Sequence, residues 1–186
     1  MNGFAQASDD ELACLIDETG LAWIVPHAAP ELALLMPVVR EMGQEALLGH
    51  LPKSHPAADA LMRAGRAQLL FLGPNSVVTG NIAGEPDWAP TWNFVAARLD
   101  VDIVVDDALT GEALAATVAH FDPEWRAAGL GPRYEVLKRR VIGFRATINV
   151  AAPRLKLGQD EKPAVRERIA AAFAGTPLGR WMEMRR

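Results

Sequence analysis

Gly49-His-Leu-Pro-Lys-Ser-His-Pro56 is the stretch with the strongest chemical signal. A short apolar strand ending near Leu51 delivers His50, and Lys53 and Ser54 follow where a helix beginning near Pro56 would start. Free backbone N–H groups and the helix dipole at such a start favour an anion, and a lysine charge beside a hydroxyl would hold a phosphate there. The alternative for the same residues is purely local, with Ser54 as the helix N-cap and Lys53 as a solvated loop residue. A second stretch, Trp88-Ala-Pro-Thr-Trp-Asn-Phe94, places two tryptophans and an asparagine directly before the longest alternating run of the chain. An ordinary strand start does not need them, although core packing would account for the rings.

Other chemistries are poorly supported. The chain lacks G-x-G-x-x-G, a Walker loop and a G-x-S-x-G elbow, so dinucleotide-fold and nucleotide-hydrolase readings are weak. Of His27, His50, His55 and His120, only His50 and His55 are close in sequence, and Pro52 and a helix start separate them; no metal site is expected. Cys14 lies beside the apolar face of a helix and reads as a structural thiol. Asp9-Asp10 and Asp106-Asp107 read as a helix first turn and a strand exit.

The elements that position these residues follow from period and punctuation. Ser8-Asp-Asp-Glu11 has capping-box spacing, Leu12, Leu15 and Ile16 share a face, and Gly20 is the stop, so an N-terminal helix is expected over residues 8–20. Leu21 to Pro26, Leu32 to Val39 and Ala46 to Leu51 read as strands of a meander. Ser54 and Pro56 open a helix that stops at Gly65, and Ala67 to Leu72 returns as a strand. Gly73 to Pro90 reads as a long loop. Val95 to Val105 is apolar at every odd position, with Arg98, Asp100 and Asp102 opposite, which predicts a half-buried strand. Helices are expected over Thr110 to Phe121 and Pro132 to Arg140, then an alternating strand over Val141 to Val150. A C-terminal helix is expected over residues 160–174, with Pro163 in its first turn and Val165, Ile169 and Phe173 as its stripe. Six or seven strands joined mostly without helices predict an α+β fold: an antiparallel barrel with peripheral helices, forming one domain over residues 1–186.

The chain of 186 residues is half hydrophobic and 23% charged, the balance of a globular protein. Nineteen Lys and Arg against 23 Asp and Glu give a net charge of −4, and the compact basic cluster Lys138-Arg139-Arg140 reads as a solvated helix end. Direct nucleic-acid binding is not expected from that balance and from the lack of a recognisable helix-turn-helix. A single cysteine, no apolar leader and no stretch of roughly 20 apolar residues point to a cytoplasmic protein that does not span a membrane.

Five motifs in order, "LLGHLPKSHP", "LLFLGPNSVV", "APTWNF", "VIGFRATI" and "RLKLGQDEKPAVRERIAAAF", resemble those of the FMN-binding negative transcriptional regulator family, the PaiB-type proteins. The resemblance runs from about Leu21 to the C-terminal helix. It implies an FMN-binding split β-barrel, related to pyridoxamine phosphate oxidases and small flavin reductases, and a homodimer with flavin sites at the subunit interface. It also implies a role in transcriptional regulation with flavin-dependent redox activity. Carried over by motif, His50, Lys53 and Ser54 take the family's G-H-x-x-(R/K)-x-N-P-like segment, with Lys53 as phosphate partner. Thr91, Trp92 and Asn93 take the P-T-W-N segment, and Lys156 and Gln159 the W-K-L-S-Q segment. These types suit a flavin: a ring face from Trp92, amides from Asn93 and Gln159, and a cation from Lys156 toward the reduced ring. No residue stands out as a general acid or base, so the chemistry implied is the cofactor's. The chain departs from the family at Leu35-Met-Pro-Val38, at Val77-Val-Thr-Gly-Asn-Ile82 and at Phe94, which stands in place of a tyrosine. Those departures support a second reading, a non-catalytic dimeric sensor or interaction protein with a degenerate, empty flavin pocket. Trp88, Trp92 and Trp181 are candidate interface anchors, with packing into the core as their alternative.

Overall fold

The computed structural model describes residues 7–41, 46–127 and 131–185. Helix α1 (Asp9–Thr19) leads into β1 (Leu21–Pro26), β2 (Leu34–Arg40), β3 (Ala46–Pro52), α2 (Pro56–Ala64), β4 (Arg66–Val78), α3 (Gly80–Ala83) and β5 (Thr91–Asp106). Helices α4 (Thr110–Phe121), α5 (Pro123–Ala127) and α6 (Pro132–Arg140), strand β6 (Val141–Lys156), and helices α7 (Pro163–Ala172) and α8 (Pro177–Met184) complete the chain. Among the described residues the six strands form a closed antiparallel barrel in the order β1-β2-β3-β6-β5-β4, as the alternating runs predict.

The chain divides into two compact units. One comprises Ile16–Phe71 and Arg98–Ala151. Its interior is made by Ile24, Val38, Leu47, Leu51, Leu61, Leu69, Leu99, Val101 and Phe144, all at most 2% exposed. The register Gly49↔Phe144 and His50↔Gly143 between β3 and β6 fixes which residues face inward. Two glycines make that register workable. A Cβ on Gly49 would stand 2.4 Å from the Phe144 ring and 2.8 Å from the Pro37 carbonyl oxygen. A Cβ on Gly143 would stand 2.5 Å from the Leu109 carbonyl carbon and 2.6 Å from the Thr110 nitrogen, just where α4 begins. Gly143 N–H donates to Thr110 Oγ1 at 3.0 Å, so the helix start is bonded to the strand as well as packed on it. On the outer face, Trp23 stands directly opposite Leu35 on β2 and Leu70 on β4. All three, with Leu21, are exposed apolar side chains.

The other unit comprises Met1–Leu15, Leu72–Ala97 and Ala152–Arg186. Its core holds Val78, Val95, Leu155, Leu157, Val165, Ile169, Leu178 and Trp181. The capping box is present as read: Ser8 Oγ accepts from Glu11 N–H at 3.2 Å, and Glu11 Oε2 accepts from Ser8 N–H at 2.7 Å. Arg168 ties α7 to the end of α3 and the segment after it, donating to the Ala83 carbonyl at 2.6 Å and to Glu85 at 2.7 Å.

Several expectations change. The cap of α2 is His55, whose Nδ1 accepts from Ala57 N–H at 3.2 Å; Ser54 is displaced because the turn His55 N–H to Pro52 C=O, 3.0 Å, puts His55 next to the helix in extended conformation. The segment Gly73 to Pro90 is not one loop: β4 continues through Gly73 and Pro74 to Val78, and α3 follows, capped by Thr79. Glycine and proline weaken a strand locally without ending it when the surrounding sheet supports it. Strand β5 begins at Thr91, so Trp92, Asn93 and Phe94 belong to the sheet. The C-terminal helix starts at Pro163, and α8 follows it on a Thr176-Pro177 start whose hydroxyl accepts from Gly179 N–H at 3.1 Å. Trp181, a candidate interface anchor, is 1% exposed and packs in the core.

Candidate cofactor site

The candidate residues fall into two groups, one in each unit. In the unit containing β3, the backbone of Lys53 is fixed by its N–H donating to the Arg140 carbonyl at 2.9 Å. Its ammonium lies 2.7 Å from Asp107 Oδ1. That hydrogen bond, with the lysine's charge, holds the Asp107 carboxyl below its usual range. Ser54 is exposed beside it. His50 is largely enclosed, its Nδ1 is buried without a hydrogen-bond partner, and burial pushes its imidazole pKa below the ordinary value. The ring is therefore neutral at pH 7, one nitrogen able to donate and the other to accept.

The second group gathers at the start of β5 and the end of β6. Lys156 Nζ donates to Thr91 Oγ1 at 2.6 Å. Trp92 points outward, 55% exposed. Asn93 takes an inward position in the alternation that continues through Val95 and Ala97, is 2% exposed, and its Nδ2 has no partner. Gly158, at φ +76, makes the turn after β6; a Cβ there would stand 3.7 Å from Asn93 Nδ2 and 3.8 Å from Glu161 Cγ. Gln159 closes that turn, Oε1 accepting from Leu157 N–H at 2.6 Å and Nε2 donating to the Leu155 carbonyl at 2.7 Å. Gln159, Glu161, Arg166 and Met182 line a cavity of about 600 Å³, within the range of ligand pockets. Burial and the neighbouring Asp160 raise the Glu161 carboxyl pKa, with Lys156 opposing them.

Sequence reasoning missed Glu161, Arg166 and the wall supplied by α8. The only local signal was the Thr176-Pro177 helix start; Glu161 and Arg166 look like ordinary surface charges until the turn brings them to the cavity. Among the described residues no helix is long and apolar enough to cross a membrane, and no cluster of three potential metal ligands occurs.

A buried amide donor without a partner costs about 1–3 kcal/mol, and such groups in native folds ordinarily meet a ligand or water. Asn93 Nδ2 meets that description, in the unit where Lys156 supplies a cation; in the other unit His50 Nδ1 is a buried ring nitrogen without a partner and Lys53 supplies a cation. Each group by itself suits part of a flavin mononucleotide: a lysine its phosphate, and a buried amide or ring nitrogen the polar edges of its heteroaromatic ring. Residues 1–150 match the family described as "Putative FMN-binding domain". The chain belongs to this FMN-binding family. FMN is the cofactor that membership assigns. No curated protein matches the chain. Among solved structures, this FMN-binding chain is similar to the FAD and heme binding protein from Mycobacterium smegmatis, with 21% identity, 89% of this chain and 78% of that one covered, and a TM-score of 0.67. It is also similar to the flavocytochrome Anf3 from Azotobacter vinelandii, at 16% identity, 81% and 68% coverage and a TM-score of 0.64. At these identities the likeness is one of fold.

Proposed function

We propose that the chain is a cytoplasmic, homodimeric flavoprotein of the PaiB type, in which residues 1–186 act as one functional domain and bound FMN supplies reversible electron transfer. The observation that carries this reading is the buried, unpartnered Nδ2 of Asn93 beside the Gly158 turn, in a chain of an FMN-binding family. On this reading Lys53 and Ser54 meet the phosphate, with His50 nearby. Asn93 and Gln159 meet the polar edge of the ring, Trp92 offers a ring face, and Lys156, positioned by Thr91, faces negative charge on the reduced flavin. Any effect on transcription then runs through the flavin's redox state, because a net charge of −4 disfavours direct contact with nucleic acid.

The dimer is supported by the outer row Leu35–Trp23–Leu70, in register across three strands, with Leu21 two residues from Trp23. All four are large apolar side chains at least 36% exposed, and neighbouring exposed apolar side chains of this kind mark protein–protein contacts.

Purification followed by absorbance and mass spectrometry of released ligand, with and without added FMN, tests the cofactor. Retention of flavin supports the reading; none after soaking removes it. Lys53→Ala weakens FMN binding more than Lys162→Ala if Lys53 meets the phosphate, and equal effects remove that assignment. A second reading, the empty-pocket sensor, is favoured by two contacts: Lys53 is already paired with Asp107, and Gln159 spends its amide on its own turn. The same soaking experiment separates the two.

A further inference from the structure

Lys53 is singled out for a phosphate, yet its ammonium already holds an anion, the carboxylate of Asp107 at 2.7 Å. Three elements bring this about. Strand β3 and the Arg140 carbonyl fix the lysine backbone. Strand β5 ends at Asp106, so Asp107 opens the short turn into α4. Lys138 on α6 reaches over the first turn of α4, its Nζ 3.5 Å from where a Cβ on Gly111 would be. Thr110 Oγ1 adds a donor to Asp107 Oδ1 at 3.4 Å. The carboxyl is held below its usual range, chiefly by the Lys53 hydrogen bond and charge and, more weakly, by Lys138. One ammonium group and a hydroxyl thus meet Asp107 Oδ1, and the charge of Lys138 acts on the same carboxyl from the neighbouring helix.

We propose that Asp107 is a displaceable stand-in for phosphate that sets the selectivity of the Lys53–Lys138 site, yielding to a phosphate monoester and giving no advantage to the same ligand without one. The inference rests on the assignment of Lys53 to the FMN phosphate. Asp107 is the most exposed partner, its side chain 69% accessible against 40% for Lys53, so it can turn to solvent without disturbing the core. An exposed pair is weak and is paid back readily by a better anion. A phosphate monoester is such an anion: it carries close to two charges and three acceptor oxygens, against one charge and two oxygens on the carboxylate. Two lysines therefore match the dianion better than they match Asp107. A ligand lacking the phosphate leaves the Lys53–Asp107 pair in place.

The test is titration calorimetry of the full chain and of its Asp107→Asn, Lys53→Ala and Lys138→Ala variants with FMN, riboflavin and inorganic phosphate. Circular dichroism checks that each variant is folded. Asp107→Asn is expected to tighten FMN about two- to fivefold, the range of an exposed ion pair, and to leave riboflavin unchanged. Lys53→Ala and Lys138→Ala are expected to weaken FMN but not riboflavin, and inorganic phosphate is expected to compete with FMN more effectively in Asp107→Asn than in the natural chain. If Asp107→Asn leaves FMN affinity unchanged or lower while Lys53→Ala weakens it, the stand-in role is overturned and the Lys53 assignment survives. A shift of the same size for FMN and riboflavin overturns it too, because Asp107 then acts on the ring or the fold. If Lys53→Ala has no effect on bound FMN, the phosphate sits elsewhere and both fall; if the natural chain binds no flavin, the FMN reading itself falls with them.

Discussion

Lys156 Nζ donates to Thr91 Oγ1 across 2.6 Å, so the last residue of β6 and the first of β5 are held side by side. They are 65 residues apart in sequence. A lysine held at its tip by a neutral hydroxyl loses much of its freedom, which is what a group aimed at a developing negative charge requires.

Lys156→Met therefore lowers the reduction potential of bound FMN, by about 30 mV if the cation stabilises the two-electron reduced ring by roughly 1.4 kcal/mol. Thr91→Val, which keeps the charge and frees the side chain, gives a smaller shift. Spectroelectrochemical titration reads both; identical potentials in all three proteins would mean that Lys156 does not face the ring.

Trp23→Glu places a charge in the middle of the Leu35–Trp23–Leu70 row. Light scattering coupled to size exclusion is expected to show a dimer for the natural chain and a monomer for this variant, with Leu35→Glu behaving alike and the outward-facing Arg66→Glu retaining the dimer. A natural chain that runs as a monomer at micromolar concentration rejects this surface as an interface.

His50 predicts a pH effect on stability. Burial holds its folded pKa below the usual 6.5, so below pH 6.5 the unfolded chain takes up the proton while the folded chain resists it. The stability present above 6.5 is lost as pH falls from that value toward the folded pKa. Melting temperatures measured from pH 7.5 to 5 decline in the natural chain and decline less in His50→Gln. Parallel curves would assign the slope to other groups.

Arg145 holds Glu41 through two hydrogen bonds, Nε to Oε2 at 2.8 Å and Nη2 to Oε1 at 2.9 Å, and also reaches Glu112 at 3.0 Å. Glu41 is 8% exposed, whereas Glu112 is nearly half exposed. Removing the arginine leaves a buried acceptor unpaired, so Arg145→Met costs about 1–3 kcal/mol, while Glu112→Gln, on the solvated side, costs under about 1 kcal/mol. Urea unfolding with an unchanged slope measures the difference. Equal costs would show that the Glu41 contact carries no special weight.

Most of the elements were legible because their signals are local. The capping box Ser8/Glu11, the odd-position run of β5, and the bounds of β1, α4 and α6 depend on residues within a turn or on a period of 2 or 3.6. Errors arose where a local signal competed with context: glycine and proline at 73 and 74 imitate a loop inside β4, and Ser54 imitates a cap that the Pro52–His55 turn gives to His55.

Sequence alone is enough for the fold class, for the order of the six strands and of α1, α2, α4, α6 and α7 among them, and for which residue types a flavin could use. Only the tertiary structure decided their state. It pairs Lys53 with Asp107, 54 positions away by the numbering; it turns the Gln159 amide onto its own loop, buries Trp181, and leaves Asn93 Nδ2 inward and unpartnered. The physical reason is register. A cap or an amphipathic stripe is satisfied within its own segment, but the partner of a strand-end side chain is set by how distant strands align. That alignment rests on close approaches such as Gly49 against Phe144, which no local pattern records.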